Sequence, residues 1–144
     1  MQGRYAAATS LLVMGLAGCS SGPPSAPTPP NGALSAGTAQ VIVNGKSISA
    51  SHRVECENLG RSFIIINIGR TGSQVTVLVH HDTPQAISFN DVEGFTGSYW
   101  HDLQGSARLG VIDQTYSLVG TAAGYNADHP HIRTSDSFNV KVAC

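Results

Sequence analysis

The sequence predicts an all-β fold: a single antiparallel β domain, built as a sandwich or strongly twisted sheet, behind an N-terminal export signal and a disordered linker. Three observations predict it. Apolar residues alternate with polar ones at period two in eight short runs. Residues with turn chemistry separate those runs. No stretch between residues 39 and 144 carries a capped apolar stripe of helical period. Sixteen glycines and a charged fraction of only 12% agree with an exported β domain.

Taken in order, the first run covers residues 40–44, where Val41 and Val43 share one face, and it ends at Asn44-Gly45, a hairpin dipeptide. The second covers 47–56 and meets a turn at Asn58-Leu59-Gly60. Runs 62–68 and 74–81 flank the glycine-bounded turn at 69–72. Run 85–90 follows the turn Asp82-Thr83-Pro84, and residues 94–97, bounded by Gly94 and Gly97, read as a further turn. Runs 106–112, 115–121 and 137–143 complete the set. The region 39–144 is long enough for one cored domain and too short for two.

Residues 1–18 have one positive charge, Arg4, and then an apolar, small-residue stretch of secretory length, too short to span a bilayer comfortably. It closes on Leu16-Ala17-Gly18-Cys19. Small side chains before the cut suit a membrane-embedded peptidase that holds the backbone extended, and the Cys19 thiol can accept a thioether-linked diacylglyceryl group. This is the lipobox of bacterial lipoproteins. An ordinary signal peptide with a chance cysteine and an uncleaved apolar anchor are the competing readings. With two or three acyl chains on Cys19, at about 0.8 kcal/mol per buried methylene, anchoring is stable.

Residues 19–38 follow as an acylated N-terminus and linker. Pro23, Pro24, Pro27, Pro29 and Pro30 stand in it, and Leu34 is its one large apolar side chain. Such a segment offsets little of its ordering entropy by burial, and proline stiffens it into a spacer. Its serines and threonines are candidate O-glycosylation sites on composition, against the plain reading of a solvated linker.

The chain holds 8 Lys and Arg against 9 Asp and Glu; without residues 1–18 the balance becomes 7 against 9. No basic cluster occurs, which argues against nucleic acid as a partner. With Cys19 assigned to lipid, Cys56 and Cys144 form an even pair in an oxidising compartment, and a disulfide is the expected product. The alternative is a free thiol or metal ligand, for which neither has a neighbour at ligand spacing.

The lipobox and linker, then VIVNGK at 41–46, VEC ending at Cys56, INIG at 66–69, TGSQVTVLV at 71–79, YSLVGTAAG at 116–124 and SFNVKVAC at 137–144, together resemble the mycobacterial 19-kilodalton lipoprotein antigen family, of LpqH type. The resemblance implies an acylated, often glycosylated envelope lipoprotein, recognised by host Toll-like receptor 2 through its lipidated N-terminus. It carries over no catalytic residues. The linker departs from the family in being proline-rich, which bears against glycosylation.

The histidines at 52, 80, 81, 101, 129 and 131 also depart from the family and raise the question of a metal site. On a strand, His80 and His81 point to opposite faces. His129-Pro130-His131, beside Asp128, could converge from a loop with His80 or His101, but no HExxH or CxxC spacing is present. Exposed loop histidines are the default, and the reading calls for no metal and no cofactor. Catalysis finds no motif either: Thr71-Gly72-Ser73 and Thr96-Gly97-Ser98 lack the nucleophile-elbow pattern, and Asp91, Glu93, Asp102 and Asp113 read as solvated turn or strand residues.

Phe95, Tyr99, Trp100 and His101 are the remaining candidate ligand-binding group, since aromatics near glycine-rich turns can form a platform for a carbohydrate or apolar ligand. Core packing is the competing account. The sequence therefore reads as a non-enzymatic, membrane-anchored envelope lipoprotein on the extracytoplasmic face. The alternative is a lipid, glycan or small-molecule binder using a cleft in the β domain; an enclosed apolar cavity would favour it.

Overall fold

The computed structural model describes residues 28–48, 53–70 and 72–144. Cys19 and His52 lie outside them, as does Thr71. Among the described residues there are ten strands and no helix: β1 (Ala39–Val43), β2 (Lys46–Ser47), β3 (Arg53–Leu59), β4 (Phe63–Arg70), β5 (Ser73–His80), β6 (Thr83–Val92), β7 (Phe95–Trp100), β8 (Ser106–Ile112), β9 (Thr115–Asn126) and β10 (His129–Ala143). All pair antiparallel in one continuous sheet, in the order β2-β1-β10-β9-β7-β6-β5-β4-β3, with β8 on β9.

Strand β9 holds the sheet together. One of its edges runs along β10 for its whole length. The other is shared, because residues Thr115 to Thr121 pair with β8 and Ala123 to Asn126 pair with β7. At that fork the sheet folds over, and its two halves face each other as a sandwich. Phe89 of β6 and Phe138 of β10, which are not on neighbouring strands, have ring centroids 5.3 Å apart.

The alternation read from the sequence becomes rows across the strands. In one half, Val41, Val140, Leu118 and Leu109 stand directly opposite one another; in the other, Cys56, Ile66, Val77, Ile87 and Tyr99 do so. These rows face inward, and Val41, Val140, Leu118, Ile66, Val77 and Ile87 are all 0% exposed. Burying each such side chain contributes about 1.5–3 kcal/mol relative to exposure.

Several elements differ from the sequence reading. The run 47–56 resolves into β2 and β3, with residues 49–52 outside the described set, and β3 takes in Asn58 and Leu59, so the turn falls at 60–62. Thr83 and Pro84 belong to β6, leaving the tight turn to His81 and Asp82. Of the turn placed at 94–97, Gly94 is in the turn, with Glu93 before it, and residues 95–97 are strand β7. The reversal turns on Glu93 and Gly94, with φ of 51° and 82°, and Asp91, at the irregularity near the end of β6, has a φ of 47°. Gly97 lies mid-strand because a Cβ there would meet Phe95 Cζ at 2.5 Å and Ala123 O at 2.6 Å; the Phe95 ring fills the space a side chain would need. Strands β9 and β10 run on past 121 and begin before 137, forming a long hairpin that places His129 and His131 on a strand, not in a loop.

Candidate functional site

The disulfide between Cys56 and Cys144 is formed, with Cα atoms 5.9 Å apart across a separation of 88 positions. It ties β3, at one margin of the sheet, to the residue following β10 in the opposite half. Cys144 is held further by its backbone N–H, which donates to the Gln114 carbonyl.

Next to this bond lies the last part of the proline-rich segment. From Thr28 onward it follows the domain surface: Leu34 N–H donates to Thr115 Oγ1 at 2.9 Å, Gly37 N–H to the Ala143 carbonyl, and Ala143 N–H to the Thr38 carbonyl. Leu34 is half-buried, and Thr115 is 2% exposed beneath it. A depression of about 370 Å³ separates residues 28–36 from Asp113, Gln114 and Ala143. The sequence signal for this contact is the one large apolar side chain in the segment.

The candidate group of Phe95, Tyr99, Trp100 and His101 divides. Phe95 and Tyr99 face inward and are 1% and 4% exposed, so they are core residues and cannot offer a ring face to a ligand. Trp100, one position on, faces outward, and His101 is exposed. The four form no single platform, because consecutive strand residues alternate faces. Tyr99 instead pins the turn after β7. Its hydroxyl donates to the Pro84 carbonyl at 3.3 Å and lies 3.2 Å from His101 Nδ1, while His101 Nε2 lies 3.4 Å from the Asp102 carboxylate. Burial, and secondarily the Asp102 charge, holds the Tyr99 phenol above its ordinary pKa, so it remains a donor.

Among the described residues the histidines do not converge as ion ligands. His81 has a φ of 53°, which swings its ring back onto its neighbour: Phe63 stacks on His80 at 4.3 Å, and His80 on His81 at 4.5 Å. The opposite-face expectation fails there because His81 has left the strand. Among the described residues, no three His, Cys, Asp or Glu side chains are grouped as a metal would need.

A further depression, of about 480 Å³, opens on the outer face at the fork, where Asn90, Thr96, Ser98, Gln104, Tyr125 and Arg133 contribute to its walls. Gln104 Nε2 donates to both the Ser98 carbonyl (2.9 Å) and Ser98 Oγ (2.7 Å), and Arg133 stands directly across from Tyr125. Its volume falls in the range of small-ligand sites. Sequence reading missed it because its residues come from four strands, β6, β7, β9 and β10, and a turn, and form no contiguous motif.

Comparison with known proteins matches residues 32–144 to the family described as Mycobacterium 19 kDa lipoprotein antigen. The chain is 32% identical to a protein of Mycobacterium avium subsp. hominissuis (strain TH135) named as a lipoprotein, over 100% of this chain and 97% of that one. It is 30% identical to a similarly named protein of Mycobacterium indicus pranii (strain DSM 45239 / MTCC 9506), over the full length of both. To lipoprotein LpqH of Mycobacterium avium it is 32% identical, over 98% of this chain and 96% of that one.

Proposed function

This chain belongs to the Mycobacterium 19 kDa lipoprotein antigen family, and we propose that it is a non-enzymatic display lipoprotein of the cell envelope. Cys19 carries the diacylglyceryl and acyl (palmitate) chains that hold it on the extracytoplasmic face of the cell membrane. Host Toll-like receptor 2 engages that acylated N-terminus, and the proline-rich segment is the candidate place for glycosylation. The domain that begins at Ala39 is the displayed part.

The observation that carries this reading is the filled interior. Inward-facing side chains from both halves, among them Val41, Val140, Leu118, Ile66, Val77, Ile87 and Tyr99, close on one another at 0–4% exposure, and the depressions of about 370 and 480 Å³ open to the surface. A carrier of acyl chains would need its apolar volume enclosed. Many methylenes inserted into an apolar channel can drive receptor binding, and acyl chains supply them in a form that side chains fixed on a β sheet do not.

Cys19→Ala tests the anchor: mass spectrometry should find unprocessed precursor or protein shed into the medium, and acylated product in that variant would overturn it. A synthetic acylated peptide of residues 19–22 should activate the receptor while the non-acylated chain stays silent. Equal activation by the non-acylated chain would overturn the assignment of sensing to lipid. The fork depression favours a second reading, a glycan seated against Tyr125 with Arg133, Asn90 and Gln104 as hydrogen-bonding groups; saturation-transfer NMR with envelope glycans checks it.

A further inference from the structure

The half of the sheet formed by β3 to β7 has a two-part outer face. Glu57, Ile65, Leu78, Ala86 and Trp100 stand directly opposite one another across five strands. Leu59, Phe63 and His80 form the next row on one side. On the other side the row is Glu55, Asn67, Thr76, Ser88 and Ser98, where Thr76 Oγ1 donates to Asn67 Oδ1 at 2.9 Å. The face is thus apolar along one side and polar along the other. Outward side chains need no such segregation for folding, because the core lies behind them.

The apolar part is open to its surroundings: Leu59, Phe63 and Trp100 are 41%, 39% and 49% exposed, and Leu103 in the turn after β7 is 82% exposed. Single exposed apolar residues are ordinary, but Ile65, Leu78, Ala86 and Trp100 make a contiguous apolar row across four strands, about 14 Å at 4.8 Å per strand, bounded on β3 by Glu57 and flanked by Leu59 and Phe63, and such a row marks an interaction surface.

We propose that this apolar face docks on the lipid surface to which the chain is anchored, so that the domain lies against the membrane. The proposal rests on the anchor reading given for Cys19. Nine positions separate Cys19 from Thr28, which even fully extended reach no more than about 30 Å. The domain is therefore always within its own dimensions of the bilayer. The tether also reaches the margin that bounds the face: residues 28–36 border Ala143, and Cys144 is bonded to Cys56 on β3, the marginal strand, where Cys56 points to the inner side and Glu57 to the outer. A tryptophan with aliphatic side chains and a histidine edge suits the headgroup boundary, where an amphipathic ring sits at the water interface.

Trp100 is the chain's single tryptophan, so its fluorescence reports on this face alone. The full acylated chain is reconstituted into phosphatidylcholine vesicles with or without bromine on the acyl chains. In brominated vesicles Trp100 emission should fall relative to the unbrominated ones, as for an indole placed at the headgroup level, and in both it should shift to the blue. Phe63→Ser with Leu78→Ser should abolish the quenching while the protein still sediments with the vesicles; if that pair does not fold, Leu59→Asp on the marginal strand replaces it. Ser88→Asp, on the polar side, should change nothing. Sedimentation without quenching overturns the docking and leaves the anchor standing. Loss of sedimentation overturns the anchor, and the docking with it. A blue shift that grows with protein concentration in the absence of vesicles assigns the face to a second copy and overturns the proposal.

Discussion

Cys56 and Cys144, 88 positions apart, are bonded across the two halves of a sheet that is otherwise continuous only at the β7–β9 fork. The fork closes one side of the sandwich, and the disulfide closes the other. Hydrogen bonding along the sheet does the first and covalent chemistry the second, and either alone would leave the inward rows hinged.

Reduction should therefore lower stability more than the loss of one surface bond would. The chain-entropy account gives about 4.6 kcal/mol for a loop of this length, with about 2–4 kcal/mol typical in practice. That corresponds to a fall in Tm on the order of 10–20 °C for a domain of this size. Calorimetry with and without reductant measures it; a Tm unchanged by complete reduction, or two reactive thiols in the oxidised native protein, would refute the role given to the bond.

The contact between Phe89 and Phe138 joins the halves through packing alone. Phe138 is 4% exposed, and Phe138→Ala should cost about 3–5 kcal/mol in urea unfolding. Phe63 is half-exposed and stacks only on His80, so Phe63→Ala should cost about 0.5–1.5 kcal/mol. Similar losses at the two sites would contradict the assignment of core and surface.

Tyr99 predicts a pH dependence. Its folded pKa lies above the ordinary value of 10.0, through burial first and the Asp102 charge second. A group whose pKa is raised on folding contributes stability that is fully present below its unfolded pKa and is lost as pH rises through the folded one. Tm should thus decline above about pH 10, and Tyr99→Phe should make that decline shallower without altering the slope at lower pH. An alkaline limb identical in both proteins would exclude Tyr99 as its source.

The legible part of this fold is what period two can encode. Val41 and Val43, read as sharing one face, are buried together, and Val75, Val77 and Val79 follow the same alternation; in the unbroken apolar run Phe63 to Ile66 period two does not choose the face, and the pairing with β5 does. The β7 strand was not, because Gly94 and Gly97 bracket Phe95 and glycine carries turn chemistry whether or not it turns; only the ring of Phe95 lying where a Gly97 side chain would be separates the two cases. His129 and His131 looked like loop residues beside a proline, yet the hairpin carries them as strand. Of the aromatic group, alternation could have separated Phe95 and Tyr99 from Trp100 once the strand was recognised. The amphipathic outer face was hidden for a different reason: its rows depend on the register between strands, which no single run contains.

The partnership of the first strand with the last sets an order of events. Ala39 pairs with Val142 and Val43 with Phe138, so β1, the first strand of the domain to be made, has its main partner about a hundred positions behind it. Such non-local pairing is slow to form. Until β10 follows, β1 has only the two residues of β2 alongside it, and its inward valines remain uncovered. Synthesis must therefore pass through an unfinished molecule, and a chain stalled short of β10 would present bare strand edges to proteases and holdase chaperones.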